Sequence, residues 1–399
     1  MKSEENKMKV AIIAPQGLPV PPVKGGAIET LIDIVLKENE KHHQLDIDVY
    51  TVYDQEAIKE SKNYSNVNFI FLLKNKRYIK LRNKFISLCR KVFKMKMRYT
   101  YPYEICKHMN DKNYDKVIIE GDSSLIIPVA NVVGKEKVFF HIHHNPLSTN
   151  HDEFRNELQH CHEVIAVSDY IKEGIFTCIG NRTFNCVTLR NCYRLNEAKE
   201  KKHQYSRQHL GIAEDDIVIV FSGRPIPDKG VKELLLAFQL LAESHDDIKL
   251  LIVGNSGFGN QVMTEYEEDL RKIAKGLDDK VLFTGFVPHH QILEVYRLAD
   301  IGVVPSIYDD PAPLVVIECM AAGLPLIVTD SGGIPEYVAD ECAIIIKRED
   351  DIVNGLKESL ITLTENQELR ETMSRNALTH SQQFTEEKFY QEFVRLLKC

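Results

Sequence analysis

Apolar positions in this chain gather into short unbroken runs, separated by longer stretches where they recur every three or four residues. Residues 8–14 (MKVAIIA) show almost no alternation, the pattern of a strand covered on both faces. Similar runs lie at 46–50, 67–71, 116–119, 137–142, 163–167 and 185–191, with helical patterns between them, the first from about Ala27. Parallel strands need long crossovers, so the alternation predicts βαβ units. Residues 195–215 are polar and charged, and read as a linker and first helix. The pattern then restarts, with strands at 217–223, 248–254, 281–285, 301–305, 326–329 and 343–346 and helices at 231–244 and 266–277. The expectation is an α/β chain of two doubly wound domains, 1–194 and 195–380, with 381–399 a helix packing back toward the first. Such sheets bind ligands beyond the carboxyl ends of their strands, so the predicted site is a central cleft that both domains face.

Composition narrows the function classes. Apolar residues are 44% and charged residues 27% of 399, as in a soluble globular protein. No apolar run reaches the roughly 18 residues that span a bilayer, and the polar residues 1–9 do not resemble a secretory signal. The nine cysteines form no C-x-x-C pair and no zinc spacing, which fits reduced thiols in the cytoplasm. A net charge of −8 argues against nucleic acid as a partner. One segment opposes that average. Residues 74–98 hold eleven Lys or Arg and no acid, and Leu81, Phe85, Leu88 and Val92 draw a helical stripe. A basic amphipathic helix can lie on an anionic membrane surface, or its stripe can pack on its own domain. One helix can do both with different faces.

Candidate chemistry is densest in residues 305–336, PSIYDDPAPLVVIECMAAGLPLIVTDSGGIPE. Pro313 suits the first turn of a helix and Gly323 its end. The first amides of that helix, at Leu314 and Val315, favour an anion such as a diphosphate. Glu318 lies about one turn further in, where a carboxylate can accept from a pair of ribose hydroxyls. Asp310 can accept from sugar hydroxyls. In FSGRPIPDKG, residues 221–230, Gly223 ends a strand, and Arg224 and Lys229 offer cations for a departing diphosphate. Gly25 and Gly26, in PVPPVKGGAIE, would let a ligand approach the backbone after the first strand. Three histidines stand in FHIHHN, residues 140–145; a metal needs a third ligand there, and none is evident. Asp46-Ile47-Asp48 has the metal-binding D-x-D form but sits in a strand that reads as structural.

The spacing Asp310-x7-Glu318, with PLVVIE between and CMAAGLP after, resembles the Glu-x7-Glu signature of glycosyltransferase family 4, bacterial surface-polysaccharide type. Asp replaces the first Glu, and Ala312-Pro313 the usual Phe-Gly, which removes one backbone donor. The Arg224/Lys229 segment, Gly25-Gly26, the turn at Phe286 and the loop 331–336 resemble the family too. The likeness covers nearly the whole chain and is most specific over 221–336. It implies the GT-B fold, with two Rossmann-like domains, and retaining, metal-independent transfer from a nucleotide-diphosphate sugar, UDP-sugar favoured, without a cofactor. Catalytic roles fall to His144 (His143 the alternate), Asp310, Arg224 and Lys229. Donor contacts fall to Gly25, Gly26, Gly223, Phe286, Leu314, Val315 and Glu318. The implied acceptor is a lipid-linked or saccharide hydroxyl. The implied location is cytoplasmic, with a peripheral membrane contact through 74–98. Rival readings are a nucleotide-sugar epimerase, a phosphorylase, or a non-catalytic partner subunit of the same fold.

Overall fold

The computed structural model describes residues 7–93, 99–146, 151–194, 205–255, 263–277, 279–288 and 291–398. The chain divides into two compact units, Met1–Asn191 with Glu386–Cys399, and Cys192–Thr385. The first contains strands β1 (Met8–Ile13), β2 (Leu45–Val52), β3 (Val67–Leu72), β4 (Lys116–Glu120), β5 (Val138–Ile142), β6 (Glu163–Ala166) and β7 (Cys186–Thr188). They lie in the order 3-2-1-4-5-6-7, all parallel. The second contains β8 (Ile217–Ser222), β9 (Ile248–Val253), β10 (Val281–Gly285), β11 (Ile301–Val304), β12 (Leu326–Thr329) and β13 (Ala343–Ile346), in the order 10-9-8-11-12-13. Counted from its own first strand, that order is 3-2-1-4-5-6, the Rossmann winding in both units. The sheet changes its direction of growth between β1 and β4, and again between β8 and β11. Loops leaving these strand pairs part to opposite faces and open a crevice.

The unbroken apolar runs form these central strands because both faces are covered. Val10 through Ile13 are all buried, as are Val218 through Phe221. In the second unit the helices Val231–Ala242 and Ile352–Glu365 close one face, placing Leu234, Phe238, Leu356 and Leu360 in a single core. Each such side chain contributes about 1.5–3 kcal/mol by leaving water.

The structure corrects two expectations and decides one reading that the sequence left open. Residues 205–215 form turns instead of a helix, while 195–204 lie outside the described residues. Gly211 is left-handed there, and the Arg207 guanidinium gathers the carbonyls of Ala213, Glu214, Asp216 and Leu298 with the Asp300 carboxylate. Pro313 is extended and precedes the helix Leu314–Ala321 instead of forming its first turn. The apolar stripe of the helix Lys76–Phe93 does not pack on its own domain: Leu81, Phe85, Leu88 and Val92 are 55–70% exposed. Polar anchoring turns the helix that way. Asn83 accepts from the Thr100 amide and hydroxyl, and Arg82 bonds Thr100 and stacks on Tyr103, so Ile86 and Cys89 on that side go inward. Residues 94–98 of the basic segment lie outside the described residues.

Candidate active site

In the second unit, three strands end in glycines. The Gly223 amide donates to Val253 and the Gly254 amide to Gly285. Gly254 has φ +124, and a Cβ there would come within 2.1 Å of the Gly223 carbonyl, so only a bare backbone fits. The chain then runs through exposed Arg224 to Lys229 and left-handed Gly230, where a Cβ would meet the Pro305 carbonyl at 1.9 Å. That close approach ties the loop after β8 to the loop after β11. The Asp228 carbonyl also accepts from the Ile307 amide at 3.0 Å. Across the switch point the Lys229 ammonium pairs with the Asp310 carboxylate. Two neighbours hold Asp310 in place. Its carbonyl accepts from Gly333 at 2.8 Å, and a Cβ on left-handed Gly332 would overlap it at 2.4 Å. Arg348 braces the loop from beneath through Asp309 at 2.7 Å.

The helix Leu314–Ala321 begins four residues beyond Asp310 with no side-chain cap. The Val316 amide turns back to Pro313 at 3.2 Å, while the Leu314 and Val315 amides precede the helical ladder. These amides and the helix dipole favour an anion. Glu318 is buried one turn further on and accepts from the Tyr296 hydroxyl at 3.2 Å. Burial, reinforced by Glu318, pushes the Tyr296 phenol well above its ordinary range, which makes it a fixed donor. Phe286, in the turn after β10, stands 57% exposed. The arrangement offers cations, amides and two carboxylates at one strand-end face, which suits a phosphate-bearing ligand with vicinal hydroxyls.

The first unit gathers a different set at its own switch point. Gly25 and Gly26 are left-handed and lead into the helix Ala27–His42. Glu29 is buried in the first turn of that helix, and burial raises its carboxyl pKa, with Glu120 adding to the rise. Glu120 ends β4 opposite His141 in β5. One oxygen of Glu120 accepts from His141 Nδ1 at 3.0 Å and from His143 Nε2 at 2.7 Å. Burial raises the Glu120 carboxyl, but the two histidines outweigh it and hold it down at about 2. Burial and the neighbouring His141 push His143 down to about 4, so it is neutral at pH 7. A carboxylate cannot donate, so each ring presents its N–H to Glu120. Buried His141 Nε2 then has no hydrogen-bond partner. His144 is half-buried against Phe154, 6.3 Å between ring centroids, and burial lowers its pKa.

Lys229, Asp310 and the Gly332–Gly333 loop thus meet, as do Glu318 and Tyr296. Gly25, Gly26, His143 and His144 lie at the strand ends of the other unit. The histidine cluster does have a third metal-type ligand, Glu120, with all three ligand atoms within 4.8 Å, which corrects the sequence reading. Hydrogen bonds already account for the carboxylate. The D-x-D pair separates: Asp46 is exposed, while Asp48 is buried against Lys112, Tyr114 and Asn68. Sequence reasoning missed Glu120, Glu29 and Tyr296. An acid closing the apolar run KVIIE was the visible signal for Glu120. Nothing local marked Tyr296, which lies 22 residues from Glu318.

Residues 203–380 match the family model "Glycosyl transferases group 1". Spore coat protein SA of Bacillus subtilis is 26% identical over 344 residues, covering 84% of each chain. The lipopolysaccharide 1,2-N-acetylglucosaminetransferase of Salmonella typhimurium is 36% identical over 135 residues, 34% of this chain and 35% of its own. Among solved structures, Anabaena Alr3699/HepE, in complex with UDP and glucose, superposes with a TM-score of 0.74 at 19% identity. The match covers 98% of this chain and 99% of that one, and the shared fold is GT-B.

Proposed function

We propose that this chain, whose residues 203–380 match the glycosyl transferases group 1 model, is a retaining, metal-independent transferase of cell-surface polysaccharide or glycolipid synthesis. The donor is a nucleotide-diphosphate sugar, UDP-sugar favoured, and the acceptor a lipid-linked or saccharide hydroxyl in the cytoplasm. The observation that carries the reading is the Lys229–Asp310 pair across the β8/β11 switch point, beside an uncapped helix and above buried Glu318. UDP and glucose bound to Alr3699/HepE support the donor class, and the Salmonella transferase supports the acceptor class.

In this reading Glu318, held by Tyr296, accepts from the ribose hydroxyls. The Leu314 and Val315 amides with Arg224 and Lys229 take the diphosphate, Gly223 lets it approach, and Phe286 lies beside the base. Phosphate draws Lys229 away and frees Asp310 for the sugar hydroxyls. As the glycosidic bond breaks, charge grows on the leaving phosphate, where fixed cations and amides stabilise it. The acceptor hydroxyl attacks the face being vacated, and the leaving phosphate oxygen takes its proton.

The test is calorimetric titration with a panel of nucleoside diphosphates, with and without chelator. One diphosphate, UDP by expectation, should bind regardless of chelator. Binding abolished by chelator would remove the metal-independent reading. Binding of none would favour a non-catalytic subunit.

A further inference from the structure

The helix Lys76–Phe93 carries its apolar stripe outward. Tyr78, Leu81, Phe85, Leu88 and Val92 are 55–70% exposed, and Tyr99 and Tyr103 close by are 38% and 44% exposed. Of the thirteen large hydrophobic side chains standing exposed among the described residues, seven fall between Tyr78 and Tyr103. Scattered exposed apolar residues need no explanation, but a concentration on one helix marks an interaction surface.

Charge identifies the occupant. At 100° per residue, exposed Arg77, Lys80, Lys84 and Lys91, spaced three, four and seven, form a row directly beside the stripe. Exposed Lys74 precedes the helix and lines an open depression with Lys24 and Arg77, which the acids Asp54 and Glu56 also line. Residues 74–98 contain no acid in a chain whose net charge is −8. A two-fold pairing of this helix with itself would set cationic row against cationic row with no acid on either helix to neutralise them. An anionic lipid surface satisfies both parts at once: headgroups meet the lysines while the stripe enters the acyl boundary. Tyrosine, with an apolar ring and a polar tip, suits that boundary. No described helix is long and apolar enough to cross a membrane, so this contact lies along the surface.

We propose that the helix Lys76–Phe93 lies in the plane of an anionic bilayer, with Leu81, Phe85, Leu88 and Val92 inserted and Arg77, Lys80, Lys84 and Lys91 on the headgroups. The inference is independent of the transfer reaction and brings the chain to lipid-borne molecules.

The experiment is vesicle flotation with the full chain, comparing phosphatidylglycerol–phosphatidylcholine with phosphatidylcholine alone. The variants are L81Q/F85Q/L88Q and K80Q/K84Q/K91Q, all at exposed positions, with melting curves to confirm folding. Wild type should float with the anionic vesicles only. Each lysine near such a surface is worth about a factor of five in partitioning, so the lysine variant should lose about 100-fold. The L81Q/F85Q/L88Q variant should lose at least about tenfold, while binding nucleoside diphosphate as wild type does. The proposal is overturned if wild type ignores anionic vesicles or if the apolar variant floats equally well. It also falls if sedimentation shows a wild-type dimer that the apolar variant dissolves, which would assign the face to a second copy.

Discussion

The two units wind their central strands in the same order, yet their switch points hold opposite equipment. The β8/β11 end collects Arg224, Lys229, helix amides and the acids Asp310 and Glu318. The β1/β4 end collects Glu29, Glu120, His141 and His143, a carboxylate-and-imidazole cluster. The first kind of surface suits phosphate, whose charge must be met. The second suits neutral hydroxyls, which need an acceptor of fixed orientation. Topology supplies the location of a site, and the loop residues supply its chemistry.

That contrast can be broken most sharply at Glu318. Glu318→Ala removes a buried acceptor, and bonds to a charged group contribute about 1.5–3 kcal/mol each. Nucleoside diphosphate affinity should fall about 100-fold by calorimetry, and unchanged affinity would end its ribose assignment. Next, Lys229→Ala should lower kcat about 100-fold with KM little changed, in the range seen when one charge-stabilising donor is lost. A melting curve checks that the protein stays folded, since Lys229 is partly exposed but its partner Asp310 is buried. Equal turnover would reject the leaving-group role. The smallest effect belongs to the other unit. His143 has its folded pKa depressed to about 4, so the unfolded chain protonates first as pH falls. The stability it contributes is full above about 6.5 and drains away toward pH 4; below that, Glu120 continues the loss toward about 2. His143→Asn should flatten the melting-temperature profile between pH 6.5 and 4 while leaving diphosphate affinity intact. A coupled loss of diphosphate binding would dissolve the division between the two faces.

The same two regions differ in how plainly they read from sequence. The central strands of both sheets were visible as apolar runs, because strands buried on both faces leave an uninterrupted signal, while the edge strands β3, β7 and β10 are only partly buried. The phosphate-type face was also visible, since its parts lie in two compact segments, 221–230 and 305–336, whose glycines and prolines punctuate the turns. The histidine face was less so. Glu120 and Glu29 are 91 residues apart and became neighbours only when β4 was laid beside β1. The stripe of the basic helix was read correctly as helical, but not which side would be covered. That choice rested on Arg82 and Asn83 reaching Thr100, eighteen and seventeen positions away.

The helix Glu386–Lys398 belongs to the first unit, although the whole second unit separates it from Asn191. Its Tyr390 hydroxyl donates to Asn39 at 2.8 Å, and its ring stacks on His42 with 5.5 Å between centroids. During synthesis the ribosome therefore releases the second unit's entire sequence before the first unit has its last helix. Until then the side of Ala27–His42 that receives Tyr390 has nothing to close it. A nascent chain stalled anywhere after residue 191 would carry that gap, open to chaperones and proteases, and a completed chain would not.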